Sequence, residues 1–395
     1  MLSNRQLHLQ YLAPTNPFPL LLEVERADGI YIYSKEKKYY DLISGISVSN
    51  LGHNNKAVIS AIKEQLDEHM HVMVYGEFVQ KPQINYANLL VSNLPQSLNS
   101  VYFVNSGAEA TEGALKLARK ASGRSEIAYF RHSYHGSTAG ALSVMGDEHY
   151  KSAFRPLIPG NRMLEYNDIN EVSKISSNTA AVIMETVQAE SGVTVPDVDF
   201  VQSIRKRCDE TGTLLILDEI QCGMGRSGGL FAFEHFGIVP DILLLAKALG
   251  GGLPLGAFIC DRNLMSQLSN NPMLGHITTF GGNPICCAAG AAAFKELIER
   301  RLHEDVERKS KLICDSLRSH HIKSVHAKGL LIAIEFEDFE TNKKVIDACF
   351  ENGVITDWFL FNNRSMRIAP PLIIEDEEIE ACCKVIESSI SEALD

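Results

Sequence analysis

Lys247 is the single charge inside L-L-L-A-K-A-L-G-G-G-L-P-L-G-A, an otherwise uncharged stretch. A lysine held among apolar groups has its charged form disfavoured, which makes a nucleophilic amine, and with it Schiff-base chemistry, available near neutral pH. The competing explanation is a buried stem with the ammonium reaching solvent. Gly250 to Gly252 weigh against that, because glycines let another group approach the backbone closely. Asp218 ends the apolar run L-L-I-L-D, at the carboxyl end of a buried strand where open α/β sheets bind ligands, and it calls for a cationic partner. Asp218-Glu219 also looks like the acid of an ATPase, but no G-x-x-x-x-G-K-[ST] occurs in the chain.

Asn105-Ser106-Gly107 falls between an apolar run and a helix, so backbone N–H groups and the helix dipole there would receive a phosphate. A plain Ser N-cap with Gly in a tight turn explains the same three residues, and the local sequence leaves both open. Gly223 to Gly228 match G-x-G-x-x-G, yet no amphipathic helix follows and no βαβ unit closes around them, so a dinucleotide site is set aside. His69 with His71, and His132 with His135, have metal-ligand spacing but no carboxylate or Cys to complete either set; they read as surface or core histidines, and no metal is expected.

The elements that must position these residues alternate short apolar runs with helical stretches from about residue 100. That predicts an α/β fold with a mostly parallel sheet. Strands are expected from Val101, Ile127, Ala181, Leu214, Ile242 and Leu255, several apolar on both faces as buried parallel strands are. A helix is expected from Ala108 to Ala121, with Glu109 and Glu112 in its first turn and Lys116, Arg119 and Lys120 later, as the helix dipole favours. From about residue 283 an Ala-rich helix to Arg301, a second to about Ser319, a strand from Leu330, a helix, a short strand at 366–369 and a last helix suggest a smaller α+β domain. The strand pair I-Y-I-Y and K-Y-Y-D-L near the start, around the charged turn at 35–38, is expected to pack against it. The division expected is an N-terminal segment 1–45, a large α/β domain 46–282 and a small domain 283–395.

Composition narrows the function classes. The 395 residues are 45% hydrophobic and 22% charged, which excludes disordered and fibrous classes and gives length enough for two domains. Asp plus Glu number 49 against 37 Lys plus Arg, and the formal charge of -12 opposes binding to nucleic acid or an anionic membrane. Nine Cys, an odd number with no C-x-x-C, read as buried thiols of a reducing compartment. The first residues lack a secretory h-region, and the longest apolar tract, between Asp241 and Asp261, is interrupted by Lys247, four Gly and Pro254. A cytoplasmic enzyme is the expectation.

Six segments together, N-S-G-A-E-A from Asn105, Y-H-G from Tyr134, L-D-E-I-Q from Leu217, the glycine-rich stretch around Lys247, T-F-G-G-N-P from Thr279 and R-I-A-P-P-L from Arg367, resemble the class III pyridoxal-phosphate aminotransferases of the acetylornithine/ornithine type. The resemblance spans nearly the whole chain. It implies a fold-type I, aspartate-aminotransferase-like structure and a homodimer with shared active sites. Pyridoxal 5'-phosphate would be held as a Schiff base on Lys247, which would then act as the proton carrier, while Asp218 would pair with the ring nitrogen. Ser106, Gly107 and Ala108 would take the phosphate together with Thr279 of the other subunit. Tyr134 would stack on the ring, with His135 beside it in the cofactor site, and Gln221 would bond the phenolic oxygen. Arg367 would receive an α-carboxylate, and Glu190 would mask it when an ω-amine enters.

The implied reaction is ping-pong transfer of a terminal amine, from N-acetylornithine or ornithine, to a 2-oxo acid such as 2-oxoglutarate. 4-Aminobutyrate, lysine or β-amino-acid aminotransferases and aminomutases are the enzymic alternatives. A catalytically silent binding subunit would be expected to have lost Lys247 or Asp218, and both are present. One departure bears on substrate: Ser137 stands where relatives carry an arginine for a distal carboxylate, leaving Arg364 or another cation to replace it, or an acceptor such as pyruvate that lacks that group. Thr186, Cys222 and Met224 also depart from the commoner residues.

Overall fold

The computed structural model describes residues 2–395 apart from Phe18, Glu36 and Tyr75, so Glu36 of the charged turn lies outside the described residues. Three short strands come first, β1 (Arg26–Asp28), β2 (Tyr31–Tyr33) and β3 (Lys38–Asp41). Seven follow: β4 (Ser100–Val104), β5 (Glu126–Phe130), β6 (Asn161–Leu164), β7 (Thr179–Glu185), β8 (Leu214–Asp218), β9 (Ile242–Leu245) and β10 (Gly256–Cys260). The last five are β11 (Ser324–Lys328), β12 (Leu331–Glu335), β13 (Val354–Ile355), β14 (Asp357–Trp358) and β15 (Ser365–Ile368).

Strands β4 to β10 form one sheet in the order β4-β10-β9-β8-β7-β5-β6, parallel from β9 to β6, with β10 antiparallel to both its neighbours. Six of the seven coincide with the apolar runs. The seventh, β6, reads N-R-M-L and escaped that pattern because it is an edge strand with one neighbour and less surface to cover. Every residue of β7 is buried, and its side chains divide by twos: Val182 and Met184 enter one core with Leu215 and Leu217, Ala181 and Ile183 the other with Ile216. A strand buried on both faces has no polar side to show, which is why these runs lack alternation.

The helix after β4 runs Gly107–Ser122, close to the expected bounds. Ser106 Oγ accepts the Glu109 N–H at 3.2 Å at its start, and Gly123 at φ 68 ends it in the left-handed conformation that glycine adopts without strain. Its Ala110, Ala114, Leu117 and Ala118 pack on the sheet.

Strands β11, β12, β15 and β14 make an antiparallel sheet accompanied by the helices Val306–Ser316, Phe339–Glu351 and Asp376–Leu394. β13 pairs instead with β3, in parallel, Tyr40 opposite Val354 and Asp41 opposite Ile355, so the N-terminal strands extend a sheet with a C-terminal one. The glycine-rich run 223–228 is a turn around the fully buried Arg226, whose guanidinium donates to Leu330 O at 2.9 Å, Pro370 O at 2.5 Å and Asn50 Oδ1 at 2.6 Å. Its match to a dinucleotide motif is literal only. Among the described residues, no helix is long and apolar enough to cross a membrane.

Candidate active site

Parallel strands deliver their carboxyl ends to one edge of the sheet, and a cavity of about 530 Å³ lies there. Glu185 ends β7 and Asp218 ends β8, directly opposite one another in register; Ala246 and Lys247 follow β9. All four line the cavity, as do Ser106, Gly107 and Ala108 from the helix start. Tyr134, His135, Gly136 and Ser137 come from the loop after β5, and Gln221 from the turn after β8. The sheet thus gathers eight of the eleven candidate residues; Arg367, Glu190 and Thr279 do not line this cavity. Gly136 permits the close approach of its loop to the helix start: at φ 125, a Cβ there would lie 2.6 Å from Ala108 Cβ.

Lys247 sits at φ 51, a left-handed conformation that costs a β-carbon residue on the order of 1 kcal/mol or more and that clusters at functional sites. Its Nζ donates to Gln221 Oε1 at 2.5 Å. Burial is the main reason its ammonium is pushed down to about 8; the positive charge of Arg367 adds to this, while Glu190, Asp218 and Glu185 oppose it. The lysine is half-buried, and its Nζ is turned onto Gln221 in the cavity, which argues against the snorkelling alternative.

Asp218 is held from two sides. His135 Nδ1 lies 2.7 Å from its Oδ2, both side chains almost wholly buried, and the Ile220 N–H donates to Oδ1 at 3.0 Å. Thr111 Oγ1 donates to the His135 carbonyl at 2.9 Å, tying this loop to the Gly107–Ser122 helix. His135 is therefore a carboxylate-orienting group, which its spacing from His132 did not suggest. Glu185, unassigned from the sequence, accepts the Tyr134 N–H at 2.9 Å and the Ala189 N–H at 3.3 Å. Burial, and next the charge of Asp218, hold its carboxyl well above the usual carboxylate range, against those two N–H donors. The available signal was positional: Glu185 closes a buried strand just as Asp218 does.

Below the sheet end, Thr186 Oγ1 donates to Glu219 Oε1 at 3.0 Å, and Ala232 and Phe233 N–H groups donate to the same carboxyl at 2.6 Å each. The departure at Thr186 thus supplies a hydrogen bond to a buried acid.

Arg367, on β15, meets Glu190 in a bidentate pair, Nη1 to Oε1 at 2.9 Å and Nη2 to Oε2 at 3.0 Å, with 3% and 10% of the side chains exposed. Burial opposes the charge of Glu190 most, but Arg367, Lys247 and the Leu360 N–H outweigh it and leave the carboxyl below its ordinary range. This is a desolvated pair, not a surface salt bridge. Ser137 Oγ lies 3.2 Å from Tyr134 Oη. Arg364 does not take the place of an arginine at position 137: it is half exposed, pairs with Glu335 at 3.1 Å and lies in a separate cleft with Arg131 and Phe361. Thr279 is exposed and is not brought to the cavity of its own chain.

Comparisons with known proteins point to one family. The family model described as Aminotransferase class-III matches residues 12–390. An acetylornithine aminotransferase of Clostridium acetobutylicum is 38% identical over 380 residues, 93% of this chain and 95% of that protein. One of Methanopyrus kandleri is 40% identical over 357 residues, 89% of this chain and 90% of that protein. Among solved structures, an ornithine aminotransferase of Toxoplasma gondii with PLP at partial occupancy in its active site superposes with a TM-score of 0.90 at 29% identity, covering 98% of this chain and 93% of that one.

Proposed function

The chain belongs to the class-III aminotransferases and is a pyridoxal-phosphate-dependent transaminase, and from that premise we propose that it moves the terminal amine of N-acetylornithine or ornithine to a 2-oxo acid, 2-oxoglutarate being the first to test. The observation that carries the substrate class is the buried Arg367–Glu190 pair. A masked arginine suits an incoming amine, and an unmasked one suits an α-carboxylate, so one pocket serves two dissimilar substrates. The similarity to acetylornithine aminotransferases supports the same choice.

The residues present fit the cofactor. Gln221 Nε2 and His135 Nε2 are buried without a protein hydrogen-bond partner, and both residues line the cavity. Lys247 would hold the cofactor covalently, Asp218 would face its ring nitrogen, and Ser106, Gly107 and Ala108 would take its phosphate at the helix start. Tyr134 would lie on the ring. When bound, pyridoxal phosphate supplies an aldehyde that takes up the amine and a ring that accepts the electron pair left at the substrate carbon.

Everything else falls to the chain. Lys247 Nζ, with its pKa near 8, would take the proton from the carbon bearing the amine and hand it to the carbon that brought the aldehyde, and would carry it the other way with the second substrate. Asp218 keeps its charge aimed because His135 and the Ile220 N–H fix both oxygens. Glu185 braces the Tyr134 loop through the Tyr134 N–H.

A homodimer with Thr279 reaching the neighbour's phosphate is part of this proposal. Exposed apolar side chains on two segments, Met70, Phe78 and Val79 on one and Met273, Ile277 and Phe280 on the other, give it a surface to bury. A division into segment 1–45, large domain 46–282 and small domain 283–395 belongs to the same proposal, with Arg226 tying the large domain to the small one through Leu330 and Pro370.

The test is a stopped-flow absorbance screen of cofactor-loaded enzyme against N-acetylornithine, ornithine, 4-aminobutyrate, lysine, β-alanine, alanine and glutamate. Rapid spectral conversion with an ornithine-type donor and with glutamate is the expected result. Conversion with alanine but not glutamate would remove 2-oxoglutarate as acceptor. Mixing inactive Lys247→Ala and Thr279→Ala proteins should restore part of the activity; no recovery would count against the shared site.

A further inference from the structure

One short segment grips Arg367 on the sides that Glu190 leaves free. β14 runs antiparallel to β15 with Asp357 directly opposite Arg367. Asp357 Oδ1 lies 3.0 Å from Arg367 Nε, an ion pair off the line of the N–H bond. The Trp358 carbonyl accepts from Nη2 at 3.2 Å, and the Phe359 ring centroid is 4.6 Å from the guanidinium carbon. Glu190 reaches the remaining Nη1/Nη2 edge from the loop after β7, and its Oε2 also accepts the Leu360 N–H at 3.0 Å. Two carboxylates therefore share one guanidinium, and only Glu190 occupies the edge a substrate would use.

We propose that Asp357 is a positioning residue of the carboxylate site, fixing the guanidinium from its Nε side so that the Nη1/Nη2 edge keeps its aim when Glu190 gives way to a substrate's α-carboxylate. This rests on the reading of Arg367 as the carboxylate receptor. A bidentate acceptor needs both the plane and the edge of the guanidinium set, and a free arginine side chain has many rotamers to lose. Asp357 and Phe359 set the plane before the substrate arrives.

With Glu190 in place, or with a substrate carboxylate there instead, Arg367 faces Asp357 and one other carboxylate, so the guanidinium stays paired through the swap, while the released Glu190 loses its cation. Glu190 retains the Leu360 N–H as a partner after it lets go. The Asp357 carboxyl, pushed up to about 6 by burial above all and by Glu190, against the pull of Arg367, is still ionised at pH 7.5.

The experiment measures each half-reaction separately, glutamate for the carboxylate side and ornithine or N-acetylornithine for the amine side, in the wild type and in Asp357→Ala, Asp357→Asn and Arg367→Ala. Asp357→Ala is expected to lower kcat/KM for glutamate about tenfold, mostly through KM, and to change the amine half-reaction by less than about threefold. Asp357→Asn, which keeps an oxygen beside Nε, should recover most of the loss. A second readout needs no turnover: Trp358 is the only tryptophan of the chain, and its emission should change saturably as the cofactor-free protein is titrated with unreactive glutarate, with weaker affinity in Asp357→Ala. Equal losses in both half-reactions, or no recovery in the Asn variant, or unaltered glutarate affinity, would overturn the role of Asp357. If Arg367→Ala leaves the glutamate half-reaction intact, it is the reading of Arg367 that falls.

Discussion

The two charged ends of the site are built in opposite ways. At the sheet edge, Asp218 and Glu185 are carried by β8 and β7 themselves, paired in register, and Lys247 comes only two residues after β9. At the other end, Arg367 meets a glutamate 177 residues away in the chain, and β14 with the residue after it supplies Asp357, Trp358 and Phe359. A group placed by a buried parallel strand inherits the rigidity of the core, whereas a group placed by contact between separate segments can be exchanged for another of like charge. The first arrangement suits chemistry that must not move, and the second suits a pocket that must serve two substrates.

Removing the rigid end should cost most. Lys247→Ala is expected to lower transamination by about 10⁴-fold, losing both the nucleophile and the proton carrier. Its melting temperature should hold, since the lysine is strained at φ 51 and its charge is partly desolvated; a collapse in stability instead would make Lys247 structural. Asp218→Ala should come next, at about 10² to 10³ in kcat, the size expected for removal of one fixed electrostatic group. Normal turnover in that variant would break the contrast, because it would show that the strand-end acid is not part of the chemistry.

The exchangeable end should respond selectively rather than severely. Glu190→Ala should lower kcat/KM for the amine half-reaction about tenfold and leave glutamate within about twofold, since an unmasked Arg367 favours carboxylates. Equal losses would mean that the pair is a fixed strut like those at the sheet edge.

A pH measurement sharpens the rigid end further. Lys247 loses its proton near 8 instead of near 10.5, so the amine is mostly ammonium below that value and free above it. The rate at which cofactor-free protein takes up pyridoxal phosphate should rise through a midpoint near pH 8; a midpoint near 10 would indicate a solvated lysine. The smallest effect belongs to Thr186→Val, which deletes the hydrogen bond to Glu219 and should cost about 1 to 3 kcal/mol of stability with little change in turnover, as for a buried acceptor losing one of several donors.

The rigid end was the more legible one in the sequence. L-L-I-L-D and the lone lysine in an apolar run already located Asp218 and Lys247, because a buried strand must be apolar and any charge within or beside it stands out. The edge strand β6 was not legible, since an edge needs no continuous apolar run. Glu185 carries the same positional signal as Asp218, at the end of the neighbouring strand. Asp357 carried none: its dipeptide strand is too short for a period, and its importance comes from lying opposite Arg367. His135 reads from its spacing as a surface or core histidine and from the resemblance as a cofactor-site residue; only the fold sets it against Asp218.

The sequence by itself determined the α/β alternation, the strands whose ends hold the acid and the lysine, and, through six motifs in order, the aminotransferase resemblance. These are properties of short segments, where side-chain period and local capping decide the outcome. Tertiary structure alone decided that His135 orients Asp218, that Arg364 stays away from Ser137, and that Asp357 and Glu190 divide the guanidinium of Arg367 between them. The His135–Asp218 and Glu190–Arg367 contacts join segments far apart in the chain, and Asp357 meets Arg367 through the register of β14 on β15; all are fixed by how sheets and loops pack and not by any spacing along the sequence.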